Sequence, residues 1–195
     1  EIELIPETRD DRSDIYSAGL SIDSAFNPSS TLIPYNLTGG VTLSLTSPSS
    51  SGLFSGLTSV FSLSGSLEES LVSSNIALSA NISGGEDSMA AKILLLEDSL
   101  DLSSLVLSSY KGDLKYDRSV PEDVNYSNRD LVALKKVINK EIPLVVRANR
   151  ASDILALIKL AERRDINLII NGAEEGWRVS RQLAEAEIPV ILQPI

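Results

Sequence analysis

Residues 142–154 read Ile-Pro-Leu-Val-Val-Arg-Ala-Asn-Arg-Ala-Ser-Asp-Ile, and what this stretch joins decides the fold. Its opening is a short, nearly continuous apolar run, the pattern of a strand covered on both faces. Across residues 152–164, Ile154, Leu157, Ile158 and Ala161 then fall at i, i+3, i+4 and i+7, which is one face of a helix. Ser152 or Asp153 is placed to cap the helix start, and Arg163 and Arg164 sit at its carbonyl end, where the helix dipole favours positive charge. Two further apolar runs follow at 167–170 and 188–192. Between them the helical spacing returns through Gly176, Val179, Ser180 and Leu183, with Glu174 and Glu175 at the amino end. Strand, helix, strand, helix, strand in one register predicts parallel pairing with right-handed crossovers.

Moving towards the amino end, the spacing predicts a helix over 129–140, a polar loop over 111–128, and a helix over 87–109 with Met89, Ile93, Leu96, Leu100 and Leu107 on one stripe. Residues 76–82 read as a strand closed by Gly84 and Gly85, and 53–63 as a glycine-punctuated hairpin excursion. Residues 41–46 alternate apolar with hydroxyl side chains after Gly39 and Gly40, the pattern of a strand following a tight turn. Serine crowds residues 13–109, whereas beyond Asn128 it stands only at 152 and 180. The chain reads as one domain, 1–195, with a Ser-rich strand and loop half (1–128) and a regular β/α half (129–195).

The 195 residues suffice for one domain with its own core. They fall short of the ~250 of a full eight-fold α/β barrel, so the chain is either a smaller α/β domain or a piece of a barrel. A formal charge of −10 argues against nucleic-acid and anionic-membrane partners, which need concentrated Lys and Arg. No apolar run approaches the ~18 residues of a spanning helix, and no leader is visible at the start. Cysteine and histidine are both absent. That removes disulfides, thiolate nucleophiles and every Ser–His or Cys–His catalytic pair, and any metal site within the chain would need oxygen ligands alone.

Several stretches resemble the metal-dependent amidohydrolases of the imidazolonepropionase-like group. Residues 22–28, 32–34 and 39–42 are similar to the lead-in to that family's second strand, residues 142–154 are the most specific match, and 168–177 with 188–194 resemble the next two strands. The resemblance implies parallel β/α units forming part of a TIM-like (β/α)8 barrel. It also implies a divalent metal such as zinc at the carboxyl ends of the strands of intact members, activating water to hydrolyse non-peptide carbon–nitrogen bonds in amides or cyclic amides. The family's HxH pair is expected upstream of this sequence and its last Asp ligand beyond Ile195. Its two remaining ligand histidines map near Arg147 and Asn171. Glu86 resembles the strand-end glutamate that is a ligand in the amino-sugar deacetylase branch.

The candidate site at the strand carboxyl ends is therefore Glu86, Arg147, Arg150, Asn171, Glu174 and Glu175, with no metal expected in this chain. Each residue has a simpler reading beside the functional one. Arg147, with Arg150, either grips an anionic ligand or forms a salt bridge to Glu86, Glu174 or Glu175 in place of the metal. Asn171 either contacts a ligand or caps the helix near Glu174, and Glu86 is a ligand, a base or merely a complement to a helix dipole. Trp177 is expected to pack rather than to stack on a substrate, and the Ser-rich residues 47–51 to form a solvated loop rather than a phosphate loop. The sequons at Asn36, Asn81 and Asn125 read as chance. The function expected is that of an amidohydrolase fragment inactive by itself. The alternative is a degenerate, metal-free barrel acting as a binding or scaffold module. A small-molecule substrate is expected in the intact protein, and self-association through exposed barrel edges is the expected protein contact.

Overall fold

The computed structural model describes residues 10–11, 17–50, 52–64, 69–83, 88–108 and 126–193. Their order is β1 (Asp10–Asp11), α1 (Leu32–Thr38), β2 (Leu43–Thr46), β3 (Ser49–Ser50), β4 (Phe54–Ser62), β5 (Leu71–Asn81), α2 (Met89–Ser108), α3 (Asn128–Ile138), β6 (Leu144–Ala148), α4 (Ala151–Arg164), β7 (Leu168–Gly172), a 3-10 turn (Gly176–Val179), α5 (Ser180–Glu185) and β8 (Val190–Leu192). Six strands make one curled sheet in the order β2-β4-β5-β6-β7-β8, a half-barrel in shape, while β1 and β3 pair separately. The joints β6–β7 and β7–β8 are parallel, as the sequence pattern predicts, and β5–β6 is parallel as well. The joints β2–β4 and β4–β5 are antiparallel, so the parallel β/α description holds only from β5 onward. Before that, the long antiparallel strands β4 and β5 take the place of β/α units.

The core lies between the sheet and its helices. Leu144, Val146 and Ala148 of β6 pack in one cluster with Ile154, Leu157 and Leu160 of α4 and with Leu134 and Val137 of α3, all among the most deeply buried side chains. Each of the fully buried Leu, Ile and Val side chains is worth roughly 1.5–3 kcal/mol of apolar burial. The helix α2 contributes Leu96 and Leu100 to the same core, as its stripe predicts, with Met89 and Ile93 packed at the margin. The Leu107 side chain lies outside the described residues. Two ion pairs, Arg163 to Glu97 and Arg164 to Asp101, tie the end of α4 to α2.

Local chemistry corrects several expectations. Gly39 and Gly40 follow α1, a seven-residue helix that the pattern did not predict. Pro34 lies in its first turn, where a missing N–H costs nothing, and Gly39 closes its end. The helix expected at 129–140 runs Asn128–Ile138 behind a capping box, in which Ser127 receives the Asp130 N–H and the Asp130 carboxylate receives the Ser127 N–H. That carboxylate is 1% exposed and also accepts the N–H groups of Ser17 at 3.1 Å and Gly19 at 2.6 Å, fastening the 17–19 turn to α3. Gly19 has no room for a side chain there, since a Cβ would lie 2.6 Å from the Arg129 carbonyl carbon. The Ser-rich run is not merely a solvated loop: Ser49–Ser50 forms β3, and Ser47 Oγ meets Thr58 Oγ1 at 2.9 Å. The loop expected over 111–128 lies largely outside the described residues.

Candidate functional site at the strand carboxyl ends

Register alone brings the site residues together. Asn81 of β5 is the Cα partner of Arg147 in β6, Arg147 is the partner of Asn171 in β7, and Asn171 is the partner of Ile191 in β8. Side chains of residues paired across a sheet point to the same face, and successive residues alternate. Val146 and Ala148 face the helical core, so Arg147 projects from the opposite face, and Asn81 and Asn171 project beside it. All three stand in the last two residues of their strands or one position before.

The loop after β6 is locked to the loop after β7. The Asn149 carbonyl accepts the Glu175 N–H at 2.8 Å, and Asn149 Nδ2 donates to Glu174 Oε1 at 2.9 Å. The Glu175 Oε2 accepts the Ala151 N–H at 2.9 Å, so the first turn of α4 is capped from 24 residues away. Neither Ser152 nor Asp153 caps that helix: the N-cap is Arg150, without a side-chain bond. Ser152 Oγ instead donates to Asp153 Oδ1 at 3.0 Å, while Asp153 Oδ2 and Asn149 Oδ1 are buried without a partner among the described residues. Gly172, at φ +99°, makes the close approach of the two loops possible, because a Cβ would sit 2.2 Å from Asn149 Oδ1.

These contacts settle how the carboxylates are used. Arg147 is exposed and, among the described residues, forms no ion pair, so the expected bridge to Glu174 or Glu175 is not made. The physical reason is competition: Asn149 and the amino end of α4 hold those two carboxylates, with Arg178 Nη1 at 3.9 Å from Glu175. Glu86 lies outside the described residues. Arg150 is exposed and likewise unpaired among the described residues. Asn171 caps no helix. Its Oδ1 accepts from Gln193 Nε2 at 3.4 Å, and the 3-10 turn that follows has Glu175 at its start. Trp177 does not pack in the core, being 76% exposed with the Arg178 guanidinium 5.9 Å from its ring centroid. Sequence reasoning missed Asn81; the strand assigned to 76–82 contains it, and pairing that strand with β6 would have found it.

A guanidinium and an amide occupy the positions to which the resemblance assigns ligand histidines. A guanidinium has no free lone pair and repels a divalent cation, so this pair does not fit a metal. Among the described residues no group of three or more Asp or Glu side chains is placed to hold one. A groove of about 460 Å³ lies at the other end of the strands, lined by Pro143, Asn167, Ile188 and Pro189 among others, and is separate from this rim.

No family model and no curated protein matches the chain. Among solved structures, the crystal structure of an amidohydrolase from Thermotoga maritima MSB8 matches with a TM-score of 0.77 and 24% identity, over 93% of this chain and 50% of that one. The likeness is one of fold. The chain spans about half the length of that amidohydrolase, and its six-stranded sheet is an amidohydrolase-like arrangement without being a closed barrel.

Proposed function

We propose that this chain is the central part of an amidohydrolase-like TIM barrel of the imidazolonepropionase-like kind, whose intact members hydrolyse non-peptide carbon–nitrogen bonds in amides or cyclic amides with a divalent metal. The observation that carries this reading is the fold likeness to the Thermotoga maritima amidohydrolase across 93% of the chain. The register row of Asn81, Arg147 and Asn171 supports it by putting polar side chains at the strand ends, where barrels of this type do their chemistry. By itself the chain is inactive on this reading. Its rim residues bind and orient a small molecule and do not activate water.

A second reading, a metal-free binding or scaffold module, is favoured by one specific observation: an arginine and an asparagine stand at both mapped ligand positions. One experiment separates the two. The chain and any longer protein containing it are dialysed, analysed for zinc, iron and manganese, and assayed against a panel of cyclic amides and N-acyl compounds. Turnover with stoichiometric metal in the longer protein supports the hydrolase and overturns the module. Neither metal nor turnover in either protein overturns the hydrolase.

A further inference from the structure

We propose that the row Asn81, Arg147 and Asn171 is a binding site for the carboxylate group of a small organic ligand. The proposal rests on reading this rim as the ligand-binding end of the barrel, and adds the chemical class that the rim selects.

The argument is a donor inventory. The Ser83 N–H can only donate, and it meets Asn81 Oδ1 at 2.9 Å, so the Asn81 amide is oriented with Nδ2 as its remaining group. On the other side, the Asn171 amide meets the Gln193 amide at 3.4 Å, an exposed contact that either orientation of the two amides satisfies, so Asn171 can present its NH2 group. Between them stands Arg147, with five N–H donors, no acceptor and no ion pair among the described residues. The result is amide, guanidinium, amide at strand spacing, ~4.8 Å from one to the next, with the Asn81 oxygen already engaged. Such a row complements a group that only accepts hydrogen bonds, and a planar guanidinium fork matches a carboxylate in two parallel bonds.

Charge narrows the class. The nearby Glu174 and Glu175 side chains face Asn149 and the start of α4, so they neither occupy the Arg147 fork nor oppose an incoming anion at bonding distance. One cation with neutral neighbours balances a monoanion. A phosphate dianion would be left with uncompensated charge in a chain of net charge −10.

The test is titration of the full 15N-labelled chain with benzoate, with inorganic phosphate, and with chloride at matched ionic strength, following the Arg147 Nε and the Asn81 and Asn171 side-chain signals. Benzoate should give saturable shifts at all three residues. Arg147→Gln should abolish them, and Arg147→Lys should weaken binding roughly tenfold, since the charge is kept and the fork is lost. Arg181→Gln, in a helix-surface pair with Glu185, should leave them unchanged. Arg147 is exposed, so both of its variants should keep the wild-type circular dichroism. Equal shifts with chloride, or benzoate shifts that persist in Arg147→Gln, overturn the site. Tighter binding of phosphate overturns the carboxylate assignment. Benzoate binding in a longer protein without turnover or metal leaves this site standing while the hydrolase reading falls, whereas turnover insensitive to Arg147→Gln with no benzoate shifts does the reverse.

Discussion

Glu175 caps a helix that begins 24 residues before it: its Oε2 accepts the N–H of Ala151 at 2.9 Å, and its own N–H returns to the Asn149 carbonyl at 2.8 Å. The side chain is 44% exposed, so solvent screens part of the charge–dipole attraction. Glu175→Ala should lower stability by roughly 0.5–2 kcal/mol, the range for losing an N-cap, and Glu175→Gln by less, because the amide oxygen still accepts. Urea denaturation midpoints of the two variants check this. Equal losses would mean that the charge and not the hydrogen bond carries the effect.

Gly172 should tolerate no side chain. At φ +99° and with Asn149 Oδ1 2.2 Å from the Cβ position, Gly172→Ala combines backbone strain with a clash inside the two-loop lock. A loss of roughly 1–3 kcal/mol is expected from the strained conformation alone, with more from the displaced Asn149. Thermal unfolding of the variant measures it, and the Asn149→Ala, Gly172→Ala double variant should recover the part due to the clash.

Asp130 should be among the most sensitive polar positions. Its buried carboxylate accepts the backbone N–H groups of Ser17, Gly19 and Ser127. Asp130→Asn turns one oxygen into an amine that faces these donors. Leaving one or two of them unpaired should cost roughly 1–6 kcal/mol, from ~1–3 kcal/mol each. Hydrogen exchange should quicken at Ser17 and Gly19 first.

Tyr126 supplies a pH signature. Its hydroxyl lies 2.7 Å from Ser99 Oγ, and burial, more than any other cause, raises its pKa above the ordinary value of 10.0. The folded state therefore binds the proton more tightly than the unfolded state. This contribution to stability is complete below pH 10.0 and is lost as pH rises through the higher folded value. Phenolate absorbance should show one tyrosine titrating later in the native chain than in urea, and Tyr126→Phe should remove that late step.

The regular half was legible because its physics is local. Residues 144–146 are buried on both faces of a parallel sheet, so their apolar run and the helical spacing of Ile154, Leu157 and Ile158 sufficed. Helix α1 was hidden by Pro34 and the two glycines, which read as breakers although the proline sits where a helix accepts it. The Asp130 and Glu175 contacts were not legible because their partners stand 111 to 113 and 24 residues away, brought close only by the fold. The site divides the same way. Arg147 and Asn171 stand one residue before the ends of neighbouring strands, where the resemblance maps them, whereas the use of Glu174 and Glu175 depended on which of several nearby donors won.

The two antiparallel joints of the sheet have a consequence for its borders. β2 runs against β4 and β4 against β5, while β5 through β8 share one sense. Two reversals cancel, so the outermost strands, β2 and β8, point the same way although 144 residues separate Thr46 from Val190. In this respect the hairpin is a detour of even parity. A further parallel strand meets the same polarity at either border, and a ring drawn through this sheet closes without a seam of opposed direction.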